Sequence, residues 1–93
     1  MVIVFDIGNT NITFGVYRDK NLLFVSRIVS DPRRMEDQYA VEIAQILELN
    51  GLPCDGYKGA VLCSVVPALT GKIQTAIYRL TGVHPLIVGP GIK

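Results

Sequence analysis

The sequence predicts an α/β domain, a mixed five-stranded sheet in the order 3-2-1-4-5 with flanking helices and the element order β-β-β-α-β-α-β. Three observations carry this reading. The opening three apolar runs follow one another across links too short for anything but antiparallel neighbours. Two stretches of helical periodicity then alternate with two further apolar runs, the pattern of parallel strands joined by crossover helices. The first and fourth runs are almost continuously apolar, as central strands buried on both faces are.

Val2–Asp6 is the first strand, and a tight turn leads to the second, Asn11–Arg18. Asp19-Lys20-Asn21 is a short polar link to the third, Leu22–Val29, so the three form a meander. The first helix begins near Asp31 or Met35. Asp31 is placed to cap it and Pro32 to sit in its first turn, where a missing N–H costs nothing. Tyr39, Ile43, Ile46, Leu47 and Asn50 follow helical spacing, with Glu36, Glu42, Gln45 and Glu48 largely on other faces. Asn50-Gly51 stops the helix, and a polar loop through Pro53 runs to Gly59. Ala60–Val66 is the fourth strand. Pro67 opens the second helix, with Ser64 expected to cap it and Leu69, Ile73, Ala76, Ile77 and Leu80 as its buried stripe. Gly71 inside it costs about 1 kcal/mol relative to alanine, and Thr81-Gly82 ends it. Pro85–Val88 is a short fifth strand. Right-handed crossovers set the fourth strand beside the first and the fifth beyond it. The result is a sheet of the ribonuclease H type, the unit repeated twice in actin-like ATPases. No repeat, low-complexity tract or linker interrupts residues 1–93, which read as one domain.

Composition narrows the function. With 93 residues, 49% of them hydrophobic, the chain supports one small globular core. The net charge is +1 and the nine Lys and Arg are scattered, so nucleic acid is not an expected partner. Cys54 and Cys63 have neither metal-ligand spacing nor a Cys-x-x-Cys pattern, and Cys63 reads as a buried free thiol. The amino terminus lacks the basic segment and long apolar run of a signal peptide, and no apolar run approaches roughly eighteen residues. A soluble cytoplasmic protein with no membrane partner is expected.

The chemistry concentrates in the first turn. Asp6 ends the first strand, where open sheets place ligand chemistry. Its carboxylate is suited to hold magnesium, directly or through water, beside a β/γ-phosphate pair. Gly8 lets phosphate oxygens approach its amide, Thr10 adds a hydroxyl donor, and Asn9 and Asn11 can take left-handed geometry or offer amide donors. The plainer alternative is a structural hairpin, since Gly-Asn is a common turn pair. The two later β-α units favour phosphate binding.

Other residues attract attention for less. His84 lies between a helix stop and Pro85 and reads as a solvated loop histidine. Arg33 and Arg34 read as a solvated pair, and Tyr39 as core. Ser64 has no base near it in sequence. Lys93, at the chain end, could touch an anionic ligand.

Three motifs together go further. Asp6-Ile7-Gly8-Asn9-Thr10-Asn11 resembles the phosphate-binding signature of type III pantothenate kinases. Ser64-Val65-Val66-Pro67 and Val88-Gly89-Pro90-Gly91-Ile92-Lys93 resemble two further stretches of that family, in family order. The resemblance implies an actin-like ATPase fold of two such domains. It implies the first step of coenzyme A biosynthesis, ATP-dependent phosphorylation of pantothenate, by a transferase with a Mg2+ cofactor, a monovalent cation (K+ or NH4+) and a homodimer. Carried across, the ATP site maps to Asp6, Ile7, Gly8, Asn9, Thr10, Asn11, Ile12 and Thr13, with Asp6 toward the metal. Gly89, Pro90 and Gly91 map to the pantothenate side.

The family's general-base aspartate is expected beyond Lys93, so no catalytic residue is assigned within the chain, which reads as the amino-terminal half of the kinase and inactive in isolation. Two other readings stay open: a non-catalytic regulator of the same fold, and another actin-like kinase acting on a sugar or acetate. An apolar face left bare by a missing second domain predicts a dimer or larger species.

Overall fold

Seven elements form in the expected order: β1 (Val2–Ile7), β2 (Asn11–Arg18), β3 (Asn21–Val29), α1 (Glu36–Leu49), β4 (Gly59–Ser64), α2 (Pro67–Thr81) and β5 (Leu86–Val88). The structure, a computed structural model, describes residues 1–89. The strands make one sheet in the order β3-β2-β1-β4-β5. The β1–β2 and β2–β3 pairs are antiparallel, and the β1–β4 and β4–β5 pairs are parallel. This is the mixed, ribonuclease H-like sheet that the sequence predicts. Both crossovers step in the same direction across it, so right-handed connections put α1 and α2 on one face, packed against each other.

Side chains alternate across the pleat. Ile3, Phe5 and Ile7 of β1, Ile12, Phe14 and Val16 of β2, and Ala60 and Leu62 of β4 are buried on the helix side. They form one cluster with Tyr39, Ile43 and Leu47 of α1 and Leu69, Ile73 and Ile77 of α2. The Phe5 and Phe14 rings stack at 5.2 Å. Each fully buried Ile, Leu or Phe contributes about 1.5–3 kcal/mol, so this one-sided core carries the domain. The other face is open. There β1 and β4 depart from expectation, for they are covered on one face rather than two. Val2, Val4, Val61 and Cys63 are half-buried and Asp6 is exposed. The strands are apolar on both faces, which produced the continuous pattern, but the described helices all lie to one side.

The remaining departures are local. Asp31 does not cap α1. Its Oδ1 accepts from the Arg33 N–H at 3.0 Å in an Asx-turn upstream, and Pro32 also precedes the helix. Met35 is the N-cap residue, its N–H donating to Gln38 Oε1 at 2.7 Å. Asn50 is not on the buried stripe; it is the exposed C-cap, and Ala40 is buried instead. Gly51, at φ 71°, and the Leu52 N–H on Leu47 O at 2.9 Å complete the stop. β4 ends at Ser64, short of the expected Val66, because the chain turns there into α2. Ser64 does not cap α2. Its Oγ accepts from Val66 N at 3.0 Å, two residues on, and Val66 is the N-cap. The loop after α1 is less polar than expected, since Tyr57 is buried and donates its hydroxyl to Pro53 O at 2.8 Å. Both cysteines are free, and Cys63 is half-buried rather than buried. No helix among the described residues is long and apolar enough to cross a membrane.

Candidate functional site

The carboxyl ends of the parallel strands β1, β4 and β5 share one edge of the sheet, and all three sequence motifs reach it. Ile7 pairs in register with Ser64, and Val65 N–H donates to Ile7 O at 3.1 Å, so the Ser64–Pro67 segment leaves the sheet beside Gly8. Val88 pairs with Cys63, which brings Gly89 to the same edge. A hollow of about 400 Å³ there is lined by Ser64, Val65, Pro67, Thr70, Ile87 and Gly89. Hydroxyls shape its wall, with Thr70 Oγ1 donating to Ser64 Oγ at 2.9 Å. Larger hollows of about 490 and 650 Å³ run along the outer surface of α1, lined mostly by polar side chains such as Gln38, Gln45 and Glu48. They touch none of the three motifs.

Asp6 and Thr13 face each other across the β1–β2 pair on the open side of the sheet, and Cys63 is Asp6's partner on β4. A groove of about 140 Å³ runs from these two residues along the open face over Gly15. Gly15 has no room for a side chain, because an added Cβ would lie 2.8 Å from the Phe24 carbonyl oxygen. Of the eight residues predicted for the turn, Ile7 and Ile12 are fully buried in the core, so only their backbones reach the edge. Asn9 and Thr10 are exposed, and Gly8 and Asn11 are partly covered.

The turn is not an ordinary two-residue hairpin. Primed hairpin turns need positive φ at a central residue, whereas none of Gly8, Asn9, Thr10 and Asn11 has it. Left-handed geometry at Asn9 or Asn11, open at the sequence level, is therefore not used. The turn is held instead by Gly8 N–H donating to Asn11 O at 2.9 Å and by Ser30. Ser30 Oγ donates to Gly8 O at 2.7 Å, and Ser30 N–H donates to Thr10 O at 2.9 Å. The N–H groups of Asn9 and Thr10 bond to no backbone carbonyl among the described residues. Sequence reasoning missed Ser30, and no local signal marks it, since its partners lie a full hairpin away.

The segment after Ser30 is fastened on two sides. Tyr39, fully buried, donates its hydroxyl to Asp31 O at 2.7 Å and accepts from Asp31 N at 2.9 Å. Lys72 of α2 donates to Pro32 O at 2.6 Å and to Arg34 O at 2.9 Å. Arg33 is solvated as expected, and its hydrogen bond to Asp31 holds that carboxyl below the usual range. Arg34 is only partly solvated, for it lies over the Tyr39 ring at 4.7 Å and pairs with Glu42. His84 stacks on Tyr78 at 4.1 Å, ahead of β5 and so at the opposite edge of the sheet. Among the described residues no three His, Cys, Asp or Glu side chains converge on one point. Pro90, Gly91 and Lys93 lie outside the described residues.

Comparison with known proteins agrees with this layout. The family model for type III pantothenate kinase matches residues 2–93. A type III pantothenate kinase of Geobacter sulfurreducens is 40% identical over the whole chain, which spans 36% of that relative's length. Among solved structures, a ROK hexokinase from Thermus thermophilus superposes with a TM-score of 0.63 at 19% identity. The match covers 95% of this chain and 33% of that one, and it bears on the fold alone. With the family model matching residues 2–93 and a curated member 40% identical along the whole chain, the chain belongs to the type III pantothenate kinase family.

Proposed function

We propose that the chain supplies the ATP-phosphate-binding part of an enzyme that phosphorylates pantothenate, the first step of coenzyme A biosynthesis. The observation that carries this is the Gly8–Thr10 turn. Its Gly8 and Thr10 carbonyls are engaged, the Asn9 and Thr10 N–H groups are left over, and Asp6 stands at the strand end beside it. Two amides without a partner among the described residues, beside a glycine, suit phosphate oxygens, and the Thr10 hydroxyl adds a donor.

Among the described residues Asp6 is a single hard carboxylate without a cage of other acidic, His or Cys ligands, which is the donor set magnesium accepts when phosphates and water complete its shell. Magnesium bound there would neutralise charge on the β/γ-phosphates. The protein's share is positioning: the amides from Gly8 to Asn11 orient the phosphates, and Ile7 and Ile12 anchor the turn in the core. Gly89, at the hollow above α2, belongs to the pantothenate side, and the sequence motif assigns Pro90 and Gly91 to it as well. No described residue is assigned as the general base. A monovalent cation (K+ or NH4+), a cytoplasmic setting and a homodimer complete the reading. The homodimer draws support from the apolar open face of the sheet.

The test is pantothenate-dependent ADP release by the complete gene product with ATP, Mg2+ and K+. Asp6→Asn should lower kcat/KM by about a hundredfold or more, the scale of removing one preorganised charge-stabilising group. The isolated 93-residue chain should not turn over. A complete protein that binds ATP yet ignores pantothenate would overturn the substrate assignment.

A further inference from the structure

We propose that Ser30 is a positioning residue for nucleotide binding, acting as a clasp that fixes the phosphate turn before the triphosphate arrives. The inference rests on the reading of the turn given above and extends it to a residue outside the signature.

Ser30 follows the last residue of β3 and reaches the turn in two ways. Its N–H bonds to Thr10 O at 2.9 Å, carrying the β2–β3 ladder one step past Val29 and Asn11. Its hydroxyl bonds to Gly8 O at 2.7 Å. Together these engage two of the turn's carbonyls, those of Gly8 and Thr10. A carbonyl facing a phosphate repels it, whereas an amide attracts it, so tying these two carbonyls to Ser30 removes two repelling groups from beside the unpaired Asn9 and Thr10 amides. The flanking Ile7 and Ile12 anchor the ends of the turn in the core, but little inside it fixes its shape. It lacks the positive-φ geometry that stabilises a short hairpin by itself, and its one internal bond is Gly8 N–H to Asn11 O. The clasp is itself immobilised, because the next residue, Asp31, is bound through both backbone groups to the buried Tyr39 hydroxyl. Lys72 ties down the carbonyls of Pro32 and Arg34 from the second helix. A hydroxyl mounted on so fixed a segment lowers the ordering cost that binding would otherwise bear.

The experiment uses the complete gene product and compares wild type, Ser30→Ala and Ser30→Thr. Affinity for a non-hydrolysable ATP analogue with Mg2+ is measured by calorimetry, and KM is measured separately for ATP and pantothenate. Ser30→Ala should weaken analogue binding and raise the ATP KM by about tenfold, the scale of one lost hydrogen bond with its partner left unsatisfied. The pantothenate KM should stay within about twofold, a split that general destabilisation does not produce. Ser30→Thr keeps the hydroxyl and should stay within about threefold of wild type. Analogue affinity unchanged in Ser30→Ala, equal losses for both substrates, or Ser30→Thr as weak as Ser30→Ala would each overturn the clasp. A wild type that binds the analogue but does not phosphorylate pantothenate sinks only the substrate assignment, since the affinity series still tests Ser30. A wild type that binds no triphosphate overturns both.

Discussion

Replacing Tyr39 by phenylalanine isolates the contact that fastens the β3–α1 connection. The ring is fully buried, and phenylalanine keeps its shape, its place in the core and its position under Arg34. What is lost is the hydroxyl, with its 2.7 Å bond to Asp31 O and its 2.9 Å bond from Asp31 N. Each intramolecular hydrogen bond is worth about 1 kcal/mol net, and more where the abandoned partner stays dry. Asp31 is half-buried, so water recovers part of that loss. The expected cost is about 1–2 kcal/mol, and for a domain of this size that lowers Tm by roughly 5–12 °C. Urea unfolding followed by circular dichroism should show a lower midpoint at unchanged slope. Amide exchange at Asp31 should accelerate with it. A Tm within about 2 °C of wild type would refute the reasoning, for it would mean that the hydroxyl restrains nothing.

Two glycines should respond in opposite directions. Gly15→Ala drives a Cβ to 2.8 Å from the Phe24 carbonyl oxygen, a backbone atom that cannot swing aside; it should cost about 1–3 kcal/mol in urea melts. Gly71→Ala meets nothing within 4 Å on α2 and should gain roughly 0.5–1 kcal/mol. Burial first, and then the charge of Asp55, pushes the Cys54 thiol up; burial likewise raises the Tyr57 phenol. Both groups prefer their neutral form when folded, so the unfolded chain loses these protons first and stability should fall as pH rises above roughly 8.5. A flat alkaline limb in thermal melts would count against this. The open sheet face exposes Val25 and Leu86, at 55% and 66%, so the 93-residue chain should associate as concentration increases, measured by light scattering. A strict monomer at high concentration is the contrary result.

Much of the fold was legible because its signals are local or periodic. The apolar runs gave five strands, helical spacing gave α2 from Pro67 to Thr81, and crossover handedness gave the sheet order. The candidate site was legible as a string, Asp6 to Thr13, because strand, acid, glycine and hydroxyl are adjacent in the chain. Asp31 and Ser64 misled because each can cap a helix by local rules, and each spends its side chain on a nearer N–H. The coverage of β1 also misled, since an apolar face shows what a strand can bury and not what lies over it.

What the sequence by itself determined is the order of elements, the sheet they make and the family to which the chain belongs, because those follow from patterns within a few residues. Tertiary structure alone decided how the turn is held. Ser30 meets Gly8 and Thr10 only after two antiparallel pairings bring β3 beside β2, and Lys72 reaches the same connection only once α2 has packed beside α1. Hydrogen bonds between groups tens of residues apart leave no periodicity in a chain, so folding has to create them before they can be seen.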